Sequence, residues 1–189
     1  PTVFATNPEI CVGGETTVVA IIDGASSGVT YQWQSSSTGS APWMDISGAT
    51  DSTYVVPTGM AGVTYYRIVI DDPNSGCDDP ISSVSTVVIV EDASVSISVD
   101  NAEVCVGGEV LIEADVVGGS SALDYQWQFS ADGTSNWLNI NGATGSTYTP
   151  STDFTDTNWY RVVINDPSSG CLDPTSDSLR VAIVEDATV

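Results

Sequence analysis

The sequence predicts an all-β chain of two tandem sandwiches, each made of antiparallel sheets, and three observations carry that expectation. Short stretches rich in Val, Ile, Thr, Tyr and Trp alternate apolar and polar residues, and nothing in the chain has helical period. Clusters of Gly, Pro, Ser and Asp separate the stretches, as turns do between short strands. The chain also repeats itself without a gap: Cys11, Trp33, Trp43, Tyr54, Tyr66, Arg67 and Cys77 recur as Cys105, Trp127, Trp137, Tyr148, Tyr160, Arg161 and Cys171. A repeat of this length can bury its own core, unlike the short units of solenoids, so each is expected to be a domain. The expected boundaries are residues 1–93 and 94–187, with 188–189 read as the start of a following repeat.

Taken in order, the strands of the first repeat are expected in "TTVVAIID", "VTYQWQS", "STYVVP", "TYYRIVID" and "VSTVVIV". Successive side chains of a strand face opposite ways. In "YQWQ" this turns Tyr31 and Trp33 to the core and Gln32 and Gln34 outward. In "TYYRIVI" it buries Tyr66, Ile68 and Ile70 and leaves Tyr65, Arg67 and Val69 on the outer face. Trp127 and Tyr160 are the corresponding core residues of the second repeat, and Trp43 and Trp137 are expected to cover a sheet edge.

Twenty-five acidic residues face three Arg, with no His, for a net charge of −22. Both repeats share this charge, and it is wrong for phosphate backbones, which need clustered Lys or Arg. Nucleic acid and anionic membranes are therefore excluded as expected partners. No apolar run approaches the length of a membrane span, and no charged and apolar leader is present, so any export signal is expected outside this sequence. With neither His nor Lys, the common general bases and activated nucleophiles are absent, and no catalytic residue is expected.

The four cysteines fall as one pair per repeat, without the close spacings of a metal site. The expected bonds are Cys11–Cys77 and Cys105–Cys171, in an exported protein; the alternative is reduced, buried thiols. Calcium is a weaker expectation. "DDPNSGCDDP" gathers Asp71, Asp72, Asp78 and Asp79, and calcium takes several hard oxygens, but "NDPSSGCLDP" loses two of the four. At the junction Glu91 and Asp92 recur as Glu185 and Asp186, near Asp100 in the next repeat; solvated turn acids account for these equally. Outward Tyr65 and Trp159, each beside an Arg, are candidate contacts for a glycan or another chain, together with Arg67 and Arg161. An Arg so placed pairs with a carboxylate or stacks on a ring as a structural tie.

As a set, "CVGGE", "YQWQ", "WMDISGATDSTY" with "WLNINGATGSTY", "YYR" or "WYR", and the "SGC" loops resemble the immunoglobulin-like repeats of very large secreted surface proteins of Bacteroidota. The resemblance covers both repeats. It implies an immunoglobulin-like fold and a place in an extracellular adhesin or surface fibre, as a non-catalytic spacer. The implied partners are neighbouring repeats and other copies in a multichain fibre. The inter-sheet cysteines usual in immunoglobulin domains are replaced by Ile68 and by Val19 or its neighbour Ala20. "DST" and "DSL" resemble O-glycosylation sites of the same bacteria, at Ser52 and Ser178. The rival reading is a glycan-binding or calcium-stiffened module appended to a secreted enzyme. The "VEDASV" junction lacks a Gly or Pro spacer, so a stiff, end-to-end array is expected, continuing past "VEDATV".

Overall fold

The computed structural model describes residues 1–24, 28–71, 80–168 and 170–187. These form strands and turns throughout, with no helix among the described residues. The chain divides into two compact units: Pro1–Glu91 with Ser168–Cys171, and Asp92–Pro167 with Leu172–Val189.

In the first unit the strands are β1 (Thr2–Ala5), β2 (Glu9–Cys11), β3 (Thr17–Ile21), β4 (Thr30–Ser36), β5 (Met44–Asp45), β6 (Thr53–Val55), β7 (Gly62–Asp71) and β8 (Ser85–Val90). One sheet has the order β1-β3-β6, and the facing sheet β2-β8-β7-β4-β5. All pairings are antiparallel except β2 with β8, which is parallel. The expected antiparallel sandwich thus carries one short parallel pair at a sheet edge. After β1 the chain crosses from one sheet to the other and continues in the same direction as β8. The crossing is fixed by Thr16, whose hydroxyl donates to the Asn7 carbonyl at 2.7 Å, and by Pro8, whose carbonyl accepts the Val88 amide at 2.8 Å. Pro8 has no N–H to offer a ladder, which suits a position between sheets.

The second unit repeats the plan with β9 (Ser94–Val99), β10 (Glu103–Cys105), β11 (Ile112–Val117), β12 (Asp124–Ser130), β13 (Leu138–Asn139), β14 (Thr147–Tyr148), β15 (Asp156–Asn165) and β16 (Leu179–Val184). Its sheets are β9-β11-β14 and β10-β16-β15-β12-β13, again with one parallel pair, β10 with β16.

Each core is centred where the alternation places it. Trp33, Ile68, Tyr66 and Ile70 are buried in the first unit, and Trp127, Val162, Tyr160 and Ile164 in the second. A buried indole needs a partner for its N–H. Trp33 donates to the Asp51 carbonyl and Trp127 to the Gly145 carbonyl, both at 2.9 Å, which ties the central strand to the turn before β6 or β14. Inside, Val18 and Ala20 face Ile68, while Val19 is only half-buried on the other face of β3. The missing inter-sheet disulfide is therefore replaced by packed aliphatic side chains, from Val18 and Ala20 rather than Val19.

Candidate functional site

The outer face of the five-stranded sheet carries a row of polar side chains set by strand register. Gln34 on β4 lies opposite Arg67 on β7 and opposite Asp45 on β5. Arg67 Nε donates to Gln34 Oε1 at 2.8 Å, and Gln34 Nε2 donates to Asp45 Oδ1 at 2.7 Å. The guanidinium lies 4.3 Å from the centre of the Trp43 ring. The second unit repeats this with Arg161, Gln128 and Asn139 at 2.7 and 2.8 Å, and Arg161 stands 4.2 Å from the Trp137 ring. Burial lowers the Arg161 pKa from the ordinary arginine value. The expected ring stack is present, but the hydrogen-bond partner is Gln rather than a carboxylate. Trp43 and Trp137 therefore serve as lids for a cation as well as edge cover.

Tyr65 and Trp159 sit on the same face beside these arginines and are half-buried. The backbone of Gly39 lies against the Tyr65 ring and that of Gly133 against the Trp159 ring, so closely that a Cβ at Gly133 would meet the indole at 2.6 Å. Both glycines adopt positive φ, +72° and +70°, in the turn before the short edge strand. The rings are thus partly covered by the chain itself. A shallow groove of about 650 Å³ opens elsewhere on the first unit, with Met44, Met60, Tyr54 and Tyr66 in its lining.

Asp72, Asp78 and Asp79 lie outside the described residues, and Asp71 ends β7. Their counterparts in the second unit have structural partners. Asp166, in the place of Asp72, is buried and accepts the Ser120 amide at 2.7 Å and the Ser120 hydroxyl at 2.6 Å. Asp173, in the place of Asp79, accepts the Asp166 amide at 2.8 Å. Sequence reasoning missed another acidic feature: Asp132, in the turn after β12, accepts from Ser130 Oγ, Thr134 N, Ser135 N and Ser135 Oγ. Those donors, Ser135 foremost, hold its carboxyl far below the usual range. Thr38 occupies its place in the first unit, so the repeat concealed it. Ser52 and Ser178 are both exposed.

The cysteines depart from expectation. Cys11 bonds Cys171, with a Cα–Cα distance of 4.8 Å, and Cys105 is free and exposed. Cys77 lies outside the described residues. Strand geometry explains why Cys105 does not bond Cys171. Cys105 pairs with Val184, beside the Asp156 end of β15, whereas Pro174, just after Cys171, bonds Ile164 at the other end. The ten residues of β15 separate those ends by about 30 Å, and a disulfide tolerates about 7 Å between Cα atoms. The first unit has the same layout: Cys11 lies opposite Val90, near Gly62, and the chain leaves β7 from its far end at Asp71.

A three-stranded sheet facing a five-stranded sheet, with a first strand split between them and a buried Trp on the central strand, defines an immunoglobulin-like sandwich. Each unit is one. The chain belongs to the family described as "Domain of unknown function (DUF8696)", whose model matches residues 1–91 and again 94–185. No curated protein matches it. Among solved structures it is similar to murine CEACAM1b, at 15% identity and a TM-score of 0.51, over 97% of this chain and 99% of that one. It also matches an amphioxus IgVJ-C2 molecule at 11% identity and a TM-score of 0.48, over 93% of this chain and 99% of that one. The Yersinia pseudotuberculosis adhesin InvE matches at 14% identity and a TM-score of 0.39, over 96% of this chain and 58% of that one. At these identities the likeness shows the fold alone.

Proposed function

We propose that this chain is a non-catalytic structural segment of an extracellular adhesin or surface fibre, of the kind its motifs resemble in Bacteroidota, and that it acts as a stiff spacer. One observation carries the reading: what the two repeats hold in common is frame. The indole-to-carbonyl tie, the Arg–Gln–ring row and the glycine turn after β2 and β10 recur, while the turns that could hold a ligand change from "SSSTGSAP" to "FSADGTSN". A ligand site shared by the repeats would hold its loop residues in both. A disulfide supports an oxidising compartment outside the cytoplasm. The three residues between β8 and β9 include no Gly, Ser or Pro, which favours a short, stiff junction.

Small-angle scattering tests the spacer reading: an elongated, narrow distance distribution supports it, and a compact or broadly flexible pair refutes it. The groove beneath Met44 and Met60 favours the rival, a glycan-binding module. Specific retention of one glycan class on an array, abolished by Tyr54→Ala, would replace the spacer reading with that one.

A further inference from the structure

The turn that follows β2 has a twin after β10. In the first unit, Val12 N donates to Val90 O at 2.9 Å, Gly13 N to Thr58 O at 3.0 Å and Gly14 N to Cys11 O at 3.0 Å. In the second, Val106 N donates to Val184 O at 3.0 Å, Gly107 N to Thr152 O at 2.9 Å and Gly108 N to Cys105 O at 2.8 Å. Gly13 and Gly107 have φ of +85° and +80°. The two frames agree; their surroundings do not.

In the first unit the turn is occupied. Cys11 is fully buried and bonded to Cys171, and Gly170 presses on the backbone of Gly13 and Gly14 with no room for a Cβ. Gly170 itself has φ of +79°, so glycine before the cysteine is required twice over, for close approach and for conformation. In the second unit the equivalent thiol is free and exposed, and Val106 beside it is 40% exposed. The acceptor for the residue after the cysteine also has a twin. Asp92, two residues past Val90, accepts the Leu172 amide at 3.1 Å. Asp186 stands two residues past Val184, and its bond to the Cys105 thiol, chief among the causes, raises that thiol's pKa.

We propose that Cys105, the Gly107–Gly108 turn and Asp186 form a docking and cross-linking site for the Ser-Gly-Cys loop of another repeat of this family. The loop would place its glycine on the turn, its cysteine sulfur on Cys105 Sγ and the next amide on Asp186. Repeats would then be stapled to one another by disulfides rather than each being closed on itself. Joining two thiols releases two protons and two electrons, which a small-molecule or protein disulfide takes up by exchange, leaving as two thiols. The inference rests on the repeated turn and does not depend on an adhesive or spacer role.

The test uses the whole chain with Cys11–Cys171 intact and Cys77→Ser, so that Cys105 is the single free thiol. The probe is a peptide of sequence Asn-Asp-Pro-Ser-Ser-Gly-Cys-Leu-Asp-Pro, activated as its mixed disulfide with thionitrobenzoate. The Cys105 thiolate attacks the peptide sulfur, the coloured thiolate leaves with the electron pair, and the Cys105 proton goes to solvent. Docking raises the local concentration of the sulfur, so the peptide should react about tenfold or more faster than the glutathione mixed disulfide. Gly→Ala in the peptide should return it to the glutathione rate. Asp186→Ala should speed glutathione while removing the peptide's advantage, a pattern that general disruption would not give. Equal rates for the three probes would overturn the proposal and make Cys105 an ordinary surface thiol, leaving the spacer reading untouched.

Discussion

Pulling the chain by its two ends measures how much of it the disulfide shields from load. The bond encloses 160 of the 188 steps between first and last residue, so 28 lie outside it. At about 3.6 Å per extended residue, the oxidised chain can pay out only about 10 nm of contour outside the bond, plus the short crossing of the bond itself. Reduction, or Cys11→Ser, exposes the enclosed 160 residues to force and adds about 58 nm of contour. Bonds at Cys11–Cys77 and Cys105–Cys171 would instead enclose 66 steps each, leaving 56 outside and about 20 nm of contour before reduction. Optical-tweezer extension of the chain between terminal handles distinguishes these lengths readily. An oxidised plateau near 20 nm, or stepwise release of two whole units before reductant is added, would refute the Cys11–Cys171 bond and the stapled mechanism built on it.

Removing Arg67 or Arg161 should lower stability by about 1–2 kcal/mol each, the sum of a ring contact and a charge-assisted hydrogen bond at a partly exposed site. Calorimetry on Arg67→Ala and Arg161→Ala checks this, and unchanged melting for both would make the row ornamental. Asp132 has a depressed folded pKa, so its contribution is complete above the ordinary carboxylate value near 4 and fades as pH falls below it. Amide shifts of Thr134 and Ser135, which follow the folded-state titration, should hold steady from about pH 7 through 4 and move only well below it, and Asp132→Asn should abolish the movement. The turn at Thr38 serves as the internal control. Millimolar calcium should leave the melting temperature within about 2 °C of its value in chelator, because Asp166 and Asp173 already have protein partners; a rise of many degrees would restore the calcium reading.

Much of the fold was legible because burial in a sheet leaves a period of two. "YQWQ" and "TYYRIVI" name their inward residues correctly, and every one of Trp33, Tyr66, Ile68 and Ile70 is in the core. Immunoglobulin spacing to the Trp leaves Val19 or its neighbour Ala20 in the cysteine's place, and the alternation in "TTVVA" decides for Ala20, inward together with Val18. The parallel β2–β8 pair left little trace, since three residues are too few to show a period and direction is not written in alternation. Arg67 and Arg161 were visible as repeated exceptions in an acidic chain. That their partners are Gln34 and Gln128 depends on register across strands, which a single sequence does not display.

The cysteine pairing was the instructive failure: the strand length that argues against it is in the sequence, but the parallel pairing that completes the argument is not. Counting thiols per repeat treats a domain as a point, yet a cysteine belongs to one end of a sandwich. Between Cys105 and Cys171 lies "TNWYRVVIN", a strand long enough to cross the sandwich once, and Cys105 belongs with the strand that begins beside it. A short edge strand paired in parallel with the last strand must finish at the same end as that strand. The loop that precedes the last strand must lie at the opposite end. Cys105 and Cys171, placed so, cannot meet within one sandwich, whatever their number per repeat, and Cys171 bonds Cys11 instead. An even spacing of cysteines therefore does not define a pair by itself; the length of the strand between them and the direction in which the short strand pairs decide whether two sulfurs can meet.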